Sequence, residues 1–340
     1  MALVLAITRG AAAALAPEVE GCLNCHREQT LELTLPSGES RSLFVDSQRF
    51  AGSIHGDKLS CGDCHTDIEE FPHPERTFKN VREFALAYYE SCKRCHFDNY
   101  TKSLDSVHYT FLSKGDQRAP LCVDCHGAHD VASPRLPKTR ISTTCARCHE
   151  QVYQRYAESV HGKALLKGAN GDVPVCTDCH RSHDIEDPRT ASFRLRSPEI
   201  CARCHTDETV MKKYGLSTGV IQSYLTDFHG MTASFYKQEQ GTPEALTAVC
   251  TDCHGVHDIL AVQDPRSSVM QANVAKVCQK CHPGATESFP AAWLSHYEPS
   301  PDKAPLVYYV KLFYQIFIPF VVLGLVLQIL LHLWRVVVSR

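Results

Sequence analysis

A chain of 340 residues with 35 Lys plus Arg against 38 Asp plus Glu has a formal net charge of −3, which leaves no basic surplus for binding nucleic acid. At this length two or three ordinary domains are expected, yet 18 residues are cysteine and 19 are histidine. The spacing of the cysteines therefore matters more than the pattern of a hydrophobic core.

The opening stretch MALVLAITRGAAAALA has an apolar run and an Ala14-Leu15-Ala16 end suited to signal cleavage, so residues 1–16 are expected to direct export. A charged start to the run is missing. The alternative, an uncleaved anchor, is disfavoured because Arg9 interrupts a run too short to cross a bilayer.

From Cys22 onward every cysteine belongs to a CxxC pair, and every pair is followed at once by histidine. The nine sets are Cys22, Cys25 and His26; Cys61, Cys64 and His65; Cys92, Cys95 and His96; Cys122, Cys125 and His126; Cys145, Cys148 and His149; Cys176, Cys179 and His180; Cys201, Cys204 and His205; Cys250, Cys253 and His254; and Cys278, Cys281 and His282. CxxC pairs also build zinc sites and disulfides, but neither chemistry requires the adjoining histidine. Two thiols at this spacing can bond the two vinyl groups of one haem while the histidine lies beneath the iron, so CxxCH reads as c-type haem attachment. Nine c-type haems are expected, with the motif histidines as proximal ligands. Nine haems leave about 38 residues each, too few for a conventional core around every cofactor. The porphyrins are then the core, and folding depends on their attachment.

The motifs fall into two-haem cassettes beginning at Cys22, Cys92, Cys145 and Cys201, with a half cassette from Cys278. Residues 30–46 alternate as a β-hairpin does, with turn residues at Pro36 to Glu39. Val81 to His96 is expected to be helical, and Val220 to Gln240 to form one longer helix that delivers His229. Ser142, Ser197-Pro198 and Asn273 are expected to open further helices. The fold class is mainly α with low secondary-structure content: short helices and loops wrapped around nine haems, one small hairpin and one C-terminal transmembrane helix. The haem-bearing domain is placed at 17–299, and the linker and membrane helix at 300–340.

Ten histidines lie outside the motifs. His55, His108, His161, His229 and His296 each follow a first motif, His55 and His161 as Ser-x-His-Gly, His108 after Ser106-Val, His229 before Gly and His296 after Ser295, and His129, His183 and His257 each follow a second motif as CHxxHD. His73 stands apart in Phe-Pro-His-Pro. Haem iron that shuttles electrons without binding substrate needs a sixth ligand, and these nine histidines match the nine motifs, so they are expected to be the distal ligands. A histidine three positions after its own motif cannot easily fold over that haem and is expected to serve a neighbour. Methionine is scarce, which favours low-potential haems.

These motifs, CxxCH, SxHG and CxxCHxxHD, resemble multihaem c-type cytochromes of the doubled-CXXCH and cytochrome c3-like kind, over about Glu20 to Pro299. The resemblance implies a wire of closely spaced haems. Membrane-bound relatives look like electron outlets for quinol-oxidising cytochrome b partners in respiring anaerobes.

Leu312 to Leu331 is a charge-free run of 20 residues, long enough for one spanning helix. With the haem domain outside the bacterial cytoplasmic membrane, in the periplasm, the C-terminus is cytoplasmic, in keeping with Arg335 and Arg340. Gln328 and His332 are four apart and share a helix face, a candidate contact for a quinone or a partner helix. Two functions remain open. The first is an electron-transfer subunit between the quinone pool, reached through a membrane cytochrome b or similar quinol-oxidising partner, and a periplasmic or extracellular acceptor. The second is a reductase of nitrite, hydroxylamine or a sulfur compound at a five-coordinate haem. No catalytic residue is assigned, since a CxxCK motif is absent.

Overall fold

The computed structural model describes residues 15–133, 137–238, 247–292, 296 and 299–339. The expected export segment thus lies almost wholly outside the described residues, as does Arg340. The chain is mainly helical and divides into two compact units, Met1–Thr190 and Ala191–Arg340.

In the first unit the only sheet among the described residues is the expected hairpin, Glu32–Thr34 antiparallel to Ser40–Ser42, with Leu33 opposite Arg41. Gly38 turns the chain at φ +84, a value that favours glycine.

The second motif of each cassette forms a helix of one turn: Cys61–Cys64, Cys122–His126, Cys176–His180 and Cys250–His254. So short a helix needs a cap, and the motif carries its own. The carboxylates of Asp63, Asp124, Asp178 and Asp252 accept the N–H of Ser60, Leu121, Val175 and Val249 at 2.7, 2.7, 2.8 and 2.8 Å.

First motifs close longer helices, Pro17–His26, Lys138–Ala146, Ser197–His205 and Val274–Gln279. The expected helix Val81 to His96 is instead an α-helix, Val81–Ala87, followed by a 3-10 stretch, Tyr89–Arg94. The break falls at Tyr88, whose ring lies edge-on to His65 at 4.6 Å. Likewise the helix expected over Val220 to Gln240, of which residues 239 and 240 lie outside the described residues, is two helices, Val220–Leu225 and Phe228–Gln238. Asp227 starts the second by accepting the N–H of Gly230 at 2.9 Å, which places His229 in a first turn. One expected helix start also shifts. Ser142 lies buried within its helix, whereas helix Val274–Gln279 does begin directly after Asn273, whose amide donates to the carbonyls of Pro265 and Ser267 and makes no side-chain cap. Pro198 does sit in the first turn of Ser197–His205.

Only fourteen hydrophobic side chains are buried among the described residues. Nine of them form three small clusters, around Leu23 and Phe50, around Tyr156 and Val175, and around Tyr224 and Val249. A 340-residue chain cannot be held by so little apolar burial alone. The last helix, Pro305–Val338, has 34 residues and Pro319 within it. At about 1.5 Å per residue it is about 51 Å long, more than the ~30 Å hydrocarbon core needs. It extends beyond Leu312 to Leu331 at both ends and is long and apolar enough to cross a bilayer.

Candidate functional site

Histidines from the motifs meet histidines from outside them. In the first unit His26 faces His73 at 6.2 Å between ring centres, His55 faces His96 at 6.1 Å, His65 faces His129 at 6.2 Å, His108 faces His149 at 6.2 Å and His126 faces His183 at 6.0 Å. In the second unit His229 faces His282 at 6.4 Å and His254 faces His296 at 6.1 Å. An imidazole centre lies about 1.1 Å behind its ligating nitrogen, and a metal–nitrogen bond is about 2 Å, so two rings trans on one metal are about 6 Å apart. Each pair joins one motif histidine to one histidine outside the motifs at that spacing. The residues fit a haem iron between two imidazoles. His161 lies in helix Val160–Gly168, His180 and His205 end their motif helices, and His257 follows His254; all four have interaction partners of their own.

The outside histidines are delivered in two recurrent ways. In the first, a residue at the N-cap starts a turn that carries the histidine: Ser106 accepts from Tyr109 N–H at 3.1 Å, Ser159 from Gly162 N–H at 3.0 Å, and Asp227 from Gly230 N–H. Glycine after the histidine is a steric demand, because a Cβ at Gly56, Gly162 or Gly230 would lie about 2 Å from a carbonyl oxygen of the preceding helix. In the second, the residue after CxxCH takes positive φ, +79 at Gly127, +64 at Arg181 and +81 at Gly255. This turns His129 and His183 away from their own motifs toward His65 and His126. Burial lowers the His129 pKa to about 4, which keeps the ring neutral and its nitrogen free to bind a metal.

None of the eighteen cysteines is in a disulfide, and no three His, Cys, Asp or Glu side chains converge as a metal-ion site among the described residues. The thiols instead meet between successive motifs. Cys22 and Cys61, Cys92 and Cys122, Cys145 and Cys176, and Cys201 and Cys250 lie beside one another, while Cys64 neighbours Cys92, Cys125 neighbours Cys148 and Cys253 neighbours Cys278. Within each unit the attachment sites therefore succeed one another in space in their chain order. Burial pushes the Cys61 and Cys253 thiols up to about 11.

Charged groups that sequence reasoning passed over lock these motifs together. Arg94 and Arg147, inside first motifs, donate to the carbonyls of Asp63 and Asp124 at 3.2 and 2.9 Å. Arg82 and Arg194 each precede a cassette and reach the capping aspartate of its second motif, Asp124 at 3.0 Å and Asp252 at 2.6 Å, and Lys138 lies 3.6 Å from Asp178. The signal was present in the motifs: the residue before the second cysteine is Asp in every second motif and Arg or Lys in every first motif after Cys22. Gln328 and His332 stand exposed on the long apolar helix.

Residues 116–206, about a quarter of the chain, match the family model for Cytochrome c3. No curated protein and no solved structure matches the chain. The matched stretch holds four CxxCH motifs, at Cys122, Cys145, Cys176 and Cys201. It supports a multihaem c-type cytochrome, with c-type haem as cofactor and electron transfer as the general activity.

Proposed function

We propose that the protein is a membrane-anchored electron relay with nine c-type haems, each held by one CxxCH motif and closed by a second histidine from outside the motifs. The observation that carries this reading is the set of seven histidine pairs at the spacing of two ligands on one iron, each using a single motif histidine. Bound haem supplies a reversible one-electron couple. The residues of the chain fix the rest. The motif cysteines would set the order of sites, the paired histidines would hold the iron between them, and the aspartate-capped motif helices with their arginine ties hold neighbouring sites in register.

The half cassette Cys278 to His296 stands next in sequence to helix Pro305–Val338, so it is the proposed entry from the membrane. The proposed donor is a cytochrome b or similar quinol-oxidising subunit, met by the face bearing Gln328 and His332. Electrons leave to a periplasmic or extracellular acceptor, with the C-terminus of the helix in the cytoplasm. Purification in mild detergent tests this reading: a partner should copurify, menaquinol should reduce the complex, and His332→Ala should slow that reduction. Catalytic reduction of the isolated chain by quinol would overturn the membrane half of the reading, and an intact mass short of nine haems would overturn the cofactor count.

A further inference from the structure

Several histidines outside the motifs are tied to other parts of the scaffold through their neighbours or their own backbone. Ile54, beside His55, donates its N–H to Val131, two residues past His129, at 2.9 Å; Val107, beside His108, does the same to Ile185, two residues past His183, at 2.7 Å. His229 lies in a capped helix and its carbonyl accepts from the Thr247 hydroxyl at 3.0 Å.

His73 has no such support. Residues 66–80 contain neither helix nor strand, and among the described residues 69–78 make no backbone–backbone hydrogen bond. The segment is held by side chains alone: the Phe71 ring, 2.9 Å from where a Cβ on Gly21 would lie, the Phe78 ring, 5.0 Å from that of Phe84, and the ion pair of Arg76 with Asp67. The His73 ring uses Nδ1 only on the carbonyl of its own neighbour, Pro74, at 2.9 Å. Its partner His26 is fixed differently. It closes helix Pro17–His26, and its Nδ1 lies 2.9 Å from the carbonyl of Leu43, seventeen residues away.

We propose that at the His26 site His73 is a displaceable ligand, so that this site binds a small neutral haem ligand of the carbon monoxide or nitric oxide class while the tethered sites stay closed. The inference rests on the haem reading above. In the exchange the bond between His73 and iron breaks and one from the lone pair of the incoming molecule forms; no proton or electron changes hands. Release of a tethered histidine distorts a capped turn and a backbone clamp, whereas release of His73 returns freedom to a segment with no ladder to break. The exposed carboxylates of Glu69, Glu70 and Glu75 border the same segment. Their negative potential disfavours anions and leaves neutral ligands preferred.

The test mixes fully reduced holoprotein with carbon monoxide and follows the Soret change against total haem. One equivalent per chain is expected, at a rate that levels off with rising carbon monoxide because His73 release limits it. In His73→Ala the rate becomes proportional to carbon monoxide and exceeds that plateau by about tenfold or more, still for one equivalent. No binding by the wild type, or an unchanged plateau in His73→Ala, overturns the proposal. A fully loaded His73→Ala protein with no five-coordinate haem by resonance Raman removes His73 as a ligand, and with it the reading on which the inference rests. If His73→Ala does not load fully, His73→Met serves: one haem rises in potential and the carbon monoxide plateau changes, and a plateau identical to the wild type overturns the proposal.

Discussion

Ile54 donates its backbone N–H to the carbonyl of Val131 at 2.9 Å, and through that single bond a residue beside His55 is joined to one beside His129. His55 faces His96 in the second cassette, while His129 faces His65 in the first. The two cassettes thus exchange histidines across a shared clamp, and Val107 with Ile185 repeats the arrangement one cassette later. Neither cassette contains all the residues of its own sites.

His129→Ala is expected to open the site of His65, 64 residues earlier in the chain. The oxidised protein should gain one haem equivalent of high-spin ferric EPR signal, with mass unchanged apart from the substitution, because Cys61 and Cys64 remain. A wholly low-spin spectrum would separate this pair.

Gly162→Ala should destabilise the protein although alanine is the better helix former. Its Cβ would lie 1.9 Å from the Tyr156 carbonyl oxygen, which is backbone and cannot swing aside. Overpacking of this kind costs about 1–3 kcal/mol, and thermal unfolding of the holoprotein measures it.

Arg181 occupies at φ 64 and ψ −170 the backbone region that glycine takes at Gly127 and Gly255. Such strain costs a non-glycine residue about 1–3 kcal/mol. Arg181→Gly forgoes the ion pair to Asp184 at 2.7 Å, a surface contact worth about 0–1 kcal/mol. A net gain of about 1 kcal/mol is expected in denaturant titration, and a loss would mean that the pair outweighs the strain.

Tyr156 gives a pH signature. Burial pushes its phenol up to about 12, above the value of about 10 in an unfolded chain, and its hydroxyl donates to the Pro174 carbonyl at 2.7 Å. The folded state favours the neutral phenol, so this contribution is complete below pH 10 and is lost as pH rises through 12. Tyr156→Phe should cost about 1–3 kcal/mol at neutral pH by leaving that carbonyl without its donor. It should also flatten the alkaline limb of stability against pH, and an unchanged limb would assign it to other groups.

Removal of residues 305–340 should release the haem-bearing part from membranes into the aqueous fraction with its haem count intact. Retention in the membrane pellet would point to a second attachment.

The haem chemistry was legible because CxxCH is a local covalent code, in which five consecutive residues suffice and distance in the fold does not enter. The hairpin and the apolar helix were legible for the same reason, each being set by a short-range pattern. The partners of the outside histidines were not, since His65 and His129 lie in different cassettes and are joined only by tertiary geometry. The continuous helix expected over Val220 to Gln240 failed at Asp227: hydrophobic spacing reads through a residue whose carboxylate restarts the helix. Likewise Ser142 has the composition of a cap and the position of a buried core residue. The alternation of Asp and Arg inside the motifs was in plain view, and its meaning required knowing which carbonyls and helix ends the side chains reach.

The turn at Gly127 that sends His129 back to His65 also sets a schedule for biogenesis. A chain threaded N-terminus first through a membrane delivers Cys61, Cys64 and His65 well before it delivers His129. On the proposed ligation, haem attached at that motif waits, with one face uncovered, until some sixty further residues have emerged, and the His126 motif waits in the same way for His183. On the proposed export and ligation, the maturing polypeptide would carry an incompletely coordinated haem at each of these two stages. Export speed, and any escort that shields that haem, would then bear on yield separately from the stability of the finished protein.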